Sequence, residues 1–190
     1  MSSLDKYIDN LDEVILRDYQ KSRVKKISQE LSGVINSCNK IVFMCTHNSR
    51  RSQLCEVWAN ILSNRLNLKL SFFSAGTEKT EVYKEVIETL CRVGVDINKE
   101  GKLNLTSNTI NIYSKTLDEI KEDKFIGIMN CSDAEKHCPL DPRSKKNIKL
   151  FYDDPKKYDG TTKESDEYDR TCRLIASELN AIFKLLVDPI

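Results

Sequence analysis

The chain has 190 residues, of which 30 are Lys or Arg and 29 are Asp or Glu, giving a formal net charge of +1. That length fits one domain with one sizeable core, and the near balance of charge argues against a general nucleic-acid or membrane-surface binder. No apolar run approaches the roughly 20 residues needed to span a bilayer. The N-terminal segment lacks a signal-peptide core, and seven cysteines, an odd number, fit reduced thiols in a cytoplasmic protein better than a disulfide scaffold.

Leu4, Tyr7, Ile8, Leu11, Val14 and Ile15 recur at helical spacing, as do Val24, Ile27, Leu31, Val34 and Ile35. Ser2 or Ser3 would cap the first helix, and the polar run from Arg17 to Arg23 would separate the two. Residues 1–39 therefore read as a helical extension packed on the core, with a partner surface as the alternative. Beyond it, 41–44 reads as a buried strand and 52–65 as a helix with Leu54, Trp58, Ile61 and Leu62 inward. A second strand follows at 68–74, and Val82, Val86, Leu90 and Val93 mark another helix.

Within residues 98–124, segments 102–105 and 110–113 suggest a hairpin, followed by a helical turn at 117–121. A surface ornament is the simpler reading of that stretch, and a rim or lid over a site the sharper one. Strands are expected at 125–129 and 148–152, and Tyr168, Cys172, Ile175, Leu179, Ile182 and Leu186 form a long C-terminal helical stripe. Such alternation predicts an α/β fold, a parallel sheet with helices on both faces and ligands at the carboxyl ends of the strands. Cys45, Cys131 and Asp154 each follow such an end, so the topology brings them towards one site.

The segment Cys45-Thr46-His47-Asn48-Ser49-Arg50-Arg51-Ser52 joins the first strand to the first core helix. A lone Cys-x5-Arg is compatible with a buried packing thiol, but here the strand before it and the helix after it supply the context of an oxyanion loop. Successive backbone N–H groups and a helix N-terminus make a cradle for an anion. Arg51 offers a planar fork for two of its oxygens. The same positive field favours the Cys45 thiolate, to which Ser52 can donate a hydroxyl hydrogen bond. Asn48 suits a left-handed backbone angle and can bond neighbouring amides.

On Cys-Thr-x-Asn-Ser-x-Arg-Ser-Gln at residues 45–53, Ser74-Ala75-Gly76, Cys131-Ser132-Asp133-Ala134 with Cys138-Pro139, and Tyr152-Asp153-Asp154-Pro155, the chain resembles the low-molecular-weight tyrosine phosphatase superfamily. Within it, the thioredoxin-coupled arsenate reductases are the most similar branch. The resemblance covers most of residues 40–187 and departs from the pattern at two places. His47 stands where a glycine is usual, so the loop differs locally or the imidazole reaches into the pocket. Arg50 stands where the reductases commonly carry a cysteine, and is expected to point outward as a solvated cation.

What the resemblance implies is a division of labour. Asp154 becomes the proton donor to the leaving oxygen, although Asp-Pro is also plain turn chemistry. In the reductases Cys45 attacks arsenate, Cys131 attacks Cys45 to expel arsenite, and Cys138 attacks Cys131, leaving a disulfide for thioredoxin or another thiol. A phosphatase hydrolysing phosphotyrosine through a phosphocysteine needs only Cys45. Lys156-Lys157-Tyr158 after Asp-Pro weakens the aromatic grip on such a ring, with Tyr158 or Trp58 as remaining contributors, and its two lysines suit a small inorganic anion or an acidic peptide. Arsenate reduction is thus favoured over phosphotyrosine hydrolysis, and an inactive oxyanion-binding module is a third reading. No tightly bound cofactor is expected, and Cys131, His137 and Cys138 lack both a fourth donor and a recognised zinc spacing. Cys38, Cys55, Cys91 and Cys172 read as packing thiols.

Overall fold

The β-branched and aromatic residues of β1 (Lys40–Cys45), β2 (Ser71–Gly76) and β5 (Phe125–Met129) and the lysine-rich β6 (Ser144–Lys149) form one sheet in the order β2-β1-β5-β6, with every pairing parallel. This computed structural model describes residues 2–106, 108–132 and 141–188. A separate antiparallel hairpin pairs β3 (Lys102–Asn104) with β4 (Thr109–Asn111). The α-helices described are α1 (Ser3–Asp9), α2 (Asp18–Ser32), α3 (Arg51–Arg65), α4 (Lys84–Arg92) and α5 (Glu164–Val187).

Period-two alternation divides the sheet's side chains between two cores. Ile41, Phe43, Ile126 and Ile128 join Leu31, Leu54, Trp58, Leu90, Ile175 and Phe183 from α2–α5 in the larger one. Val42, Met44, Phe125 and Met129 face the other side, where Leu117 of a 3₁₀ turn (Leu117–Glu119) and Ile120 just after it pack on them. The α/β fold with helical elements about a parallel sheet is therefore the one expected. The largest core side chains are fully buried, each contributing roughly 1.5–3 kcal/mol. Among the described residues no helix is long and apolar enough to cross a membrane.

Several boundaries differ from the sequence reading. The second strand starts at Ser71 because Asn67, at φ 53°, ends α3 in a left-handed turn and Leu68 N–H returns to Ser63 O before Ser71 begins to pair. The last strand runs over Ser144–Lys149 instead of 148–152, since as a sheet edge it exposes alternate polar residues and carries no apolar run. The chain then extends only two further bonds, Leu150 N–H to Met129 O and Tyr152 N–H to Asn130 O, which set the approach to Asp154. Ser2 caps α1 through a capping box with Asp5, but α1 stops at Asp9 and Ile15 is 89% exposed, so the first apolar stripe is not one helical face.

The run from Arg17 to Arg23 does not separate two helices; it opens α2. Its polarity serves a buried contact with α5. Gln20 Nε2 donates to Glu178 Oε1 at 3.2 Å, Arg23 pairs with the same oxygen, and Arg23 Nη1 donates to Phe151 O at 2.9 Å while its guanidinium lies 5.4 Å from the Tyr152 ring centre. The Glu178 side chain is fully buried, so Arg23→Met leaves its charge without its cation. That substitution is expected to lower stability by roughly 3 kcal/mol, and Arg23→Met/Glu178→Gln to recover much of the loss. Urea unfolding curves measure both, and an unchanged midpoint for the single variant would show the pair to be energetically idle.

Candidate active site

Cys45 is the last residue of β1, Cys131 lies two residues beyond β5, and Asp154 follows the extension of β6. Three adjacent parallel strands thus deliver them to one end of the sheet. Cys45, Thr46, His47, Ser49, Arg50, Arg51 and Asp154 line a shallow concavity there.

The loop's carbonyls are all committed elsewhere. Thr46 O accepts from the N–H groups of Thr77 and Glu78, His47 O from the hydroxyls of Thr80 and Ser114, Asn48 O from Gln53 Nε2, and Ser49 O from Tyr83 N–H. In a planar trans peptide the N–H points opposite the carbonyl, so the N–H groups of His47, Asn48, Ser49 and Arg50 turn to the other side. That is the geometry of an anion nest, with the N-terminus of α3 behind it. Gly76 is required where β2 meets the loop: a Cβ there would lie 2.6 Å from Thr46 O and 2.8 Å from Asn48 N.

Asn48, at φ 46°, makes the sharp turn. Its Nδ2 donates to Ser52 Oγ and to Ser74 Oγ, both at 2.8 Å, and its Oδ1 accepts from Gln53 Nε2 and from the N–H of Lys115, both at 2.9 Å. Ser52 Oγ lies 3.0 Å from Cys45 Sγ. Since Ser52 already accepts from Asn48, its hydrogen is available to the sulfur.

Arg51 donates from Nη1 to Tyr152 O at 2.9 Å and from Nη2 to Asp154 Oδ2 at 2.5 Å. Asp154 Oδ1 also accepts from Lys156 N–H, capping the short 3₁₀ turn Pro155–Tyr158. Turn residue and site residue are therefore one and the same. Cys131 is buried against Cys45, and Thr46 Oγ1 is 3.7 Å from Cys131 Sγ. Cys138, like His137 and Pro139, lies outside the described residues.

Four expectations need correction. Arg50 is not a solvated cation: its side chain is 13% exposed, Nε donates to Tyr168 Oη at 2.6 Å, Nη2 pairs with Asp159, and the guanidinium sits 4.2 Å from the Tyr83 ring centre. Partners far along the chain, not local polarity, decide its direction. Trp58 cannot grip a substrate ring, being fully buried with Nε1 donating to Cys172 Sγ; Tyr158 does line a groove beside Asp154 and Pro155. Cys91 is exposed and not a packing thiol, whereas burial pushes the Cys55 thiol well up and that of Cys172 up to about 11. Residues 113–116 are not a surface ornament, since they reach the carbonyl side of the loop through Tyr113 O, Ser114 Oγ and the Lys115 backbone. His47 sits at the rim with Nε2 3.3 Å from Glu78.

The sequence reading assigned no role to Gln53, Glu56, Ser74 or Lys115. One signal was legible: Ser52, Glu56, Asn60 and Ser63 form a polar stripe on a helix that is buried nearly all round.

The sequence signature of the low molecular weight phosphotyrosine protein phosphatase family matches residues 40–188. An arsenate reductase from Staphylococcus epidermidis is 36% identical over 115 residues, 60% of this chain and 77% of that protein. Among solved structures, an arsenate reductase from Archaeoglobus fulgidus superposes with a TM-score of 0.52 at 23% identity, covering 77% of this chain and 98% of that one. A low molecular weight phosphotyrosine phosphatase from Vibrio cholerae gives 0.53 at 20%, covering 76% and 94%. At these identities the two structures speak for the fold.

Asn48→Gly tests what the loop needs, because glycine adopts the left-handed angle freely yet has no amide. Phosphate affinity, read by titration calorimetry, is expected to fall about tenfold or more, the equivalent of one or two lost hydrogen bonds. Unchanged affinity would mean that the backbone angle alone sufficed.

Proposed function

The chain belongs to the low-molecular-weight phosphotyrosine protein phosphatase family, a family of cysteine-based enzymes, and on that premise we propose that it reduces arsenate to arsenite. The observation that carries the reading is the buried contact between Cys45 and Cys131 at the ends of neighbouring strands. Hydrolysis has no use for a second thiol at that place, whereas reduction requires one. The arsenate reductases among the chain's relatives support the same substrate.

Arsenate binds with its oxygens on the N–H groups of 47–50 and on the Arg51 fork. The Cys45 thiolate, accepting from Ser52, attacks arsenic, and the departing oxygen takes a proton from Asp154. For that, Asp154 must carry a proton and release Arg51, whose guanidinium turns to the anion. Cys131, as thiolate, then attacks Cys45 Sγ; the S–As bond breaks, its electron pair reduces As(V) to As(III), and arsenite leaves a Cys45–Cys131 disulfide. Cys138 attacks Cys131, freeing Cys45 and forming Cys131–Cys138, which thioredoxin or another dithiol reduces. The part of Cys138 rests on the spacing Cys131-x6-Cys138-Pro139.

A second reading, phosphotyrosine hydrolysis through a phosphocysteine, is favoured by the groove beside Asp154 that Pro155, Lys157 and Tyr158 line. It uses the same loop and aspartate, with water in place of Cys131.

Thioredoxin-dependent arsenate reduction and aryl phosphate hydrolysis, measured side by side, separate the two. Cys45→Ser is expected to abolish both, and Cys131→Ser and Cys138→Ser to abolish reduction while hydrolysis persists. Wild type that hydrolyses phosphotyrosine and never reduces arsenate would sink the reductase assignment.

A further inference from the structure

We propose that Lys115 and Glu56 are positioning residues for the oxyanion loop: their buried ion pair orients Asn48 and Ser52, and through them the Cys45 thiolate. The proposal rests on the loop being an oxyanion site, and not on which oxyanion is turned over.

The pair lies beneath the loop, on its carbonyl side. Lys115 Nζ is 3.1 Å from Glu56 Oε2, and the two side chains are 5% and 6% exposed. Ser74 Oγ donates to the same carboxylate oxygen. From there the bonds already described run without a gap, from Ser74 to Asn48, from Asn48 to Ser52 and from Ser52 to Cys45.

The direction of each hydrogen follows from the ends of the chain. A carboxylate only accepts, so the Ser74 hydrogen points to Glu56 and leaves the Ser74 oxygen to accept from Asn48. At the other side of that amide, the Lys115 N–H and Gln53 Nε2 are both donors, so the oxygen of Asn48 must face them. Its nitrogen then faces Ser74 and Ser52, and Ser52 is left to donate to sulfur. Lys115 acts twice, through its backbone on the Asn48 oxygen and through its ammonium on Glu56. Its own carbonyl is anchored by Gly76 N–H at 2.9 Å.

The ammonium matters because burial pushes the Glu56 carboxyl up, on balance above its ordinary value, and Lys115 opposes that push. A protonated Glu56 could itself donate to Ser74, so the Ser74 hydrogen would no longer be obliged to point at the carboxyl and the direction of the chain would lose its fixed end. A neutral glutamine keeps an accepting oxygen at this place, whereas leucine offers none.

Two double variants of the full chain separate positioning from plain stability. Glu56→Leu/Lys115→Met replaces the pair by apolar groups of similar volume, an exchange that is often neutral or stabilising. Because the buried Ser74 hydroxyl loses its acceptor, the thermal midpoint of this variant is expected to fall by a few degrees while the protein stays folded at the assay temperature. It is expected to bind inorganic phosphate about tenfold more weakly and to lose Cys45 alkylation rate by a similar factor, as expected when a reacting group is slightly misplaced. Glu56→Gln/Lys115→Met is expected to regain most of both. Calorimetry reads the phosphate affinity, and peptide mapping after timed iodoacetamide treatment reads Cys45. A folded Leu/Met variant with wild-type affinity and alkylation overturns the proposal, as do equal losses in both variants. Should the Leu/Met variant not fold, Lys115→Met alone takes its place: weaker than the Gln/Met variant supports the proposal, equal to it overturns it. Wild type that does not bind phosphate would instead overturn the oxyanion reading of the loop, and the proposal with it.

Discussion

Aiming consecutive backbone amides at one anion obliges the carbonyls between them to find donors on the opposite side, and most of the surrounding structure is arranged to provide them. Three of the peptides from 46 to 49 are held by elements distant in sequence, the turn after β2, Ser114 and the N-terminus of α4, and the fourth by Gln53 of the adjoining α3. A buried carbonyl without such a donor would cost about 1–3 kcal/mol, so the loop cannot be shaped by its own residues. Gly76 then lets β2 come close enough to take part.

Two layers support this loop from below and from the side. Beneath it lie Asn48, Ser74, Glu56 and Lys115, a polar island inside an otherwise apolar helix–sheet interface. Buried polar groups of this kind rigidify when every partner is present and are costly otherwise. To the side, Arg50 is clamped by Tyr168, Asp159 and the Tyr83 ring, which ties the loop to α5. Asp154 is reached from a third direction, since Arg23 of α2 holds Phe151 O and Arg51 holds Tyr152 O. The second N-terminal helix, α2, therefore touches the strand extension that carries Asp154, three residues away along the chain.

The four-stranded parallel order explains why two thiols far apart in sequence meet here. Cys45 and Cys131 emerge from β1 and β5, which are neighbours in the sheet, and strands about 4.8 Å apart place residues just beyond their ends within side-chain reach. Cys55 and Cys172 are fully buried with their thiols pushed up, which keeps them protonated and inert.

What the sequence alone determined was periodic or contiguous. Strand, loop and helix around Cys45 could be read from local spacing, the parallel sheet from the alternation of elements, and the left-handed turn at Asn48 from residue type. Tertiary structure decided whatever depends on partners remote along the chain. Arg50 looked like a surface cation until Tyr168 and Asp159 came beside it, the polar opening of α2 looked like a linker until Glu178 came to meet Arg23, and Lys115 sat unnoticed in a stretch read as ornament. The physical reason is common to all three. Hydrophobic periodicity reports which face of an element is buried, but a buried charge is tolerated only by a specific partner, and no periodicity encodes where that partner lies.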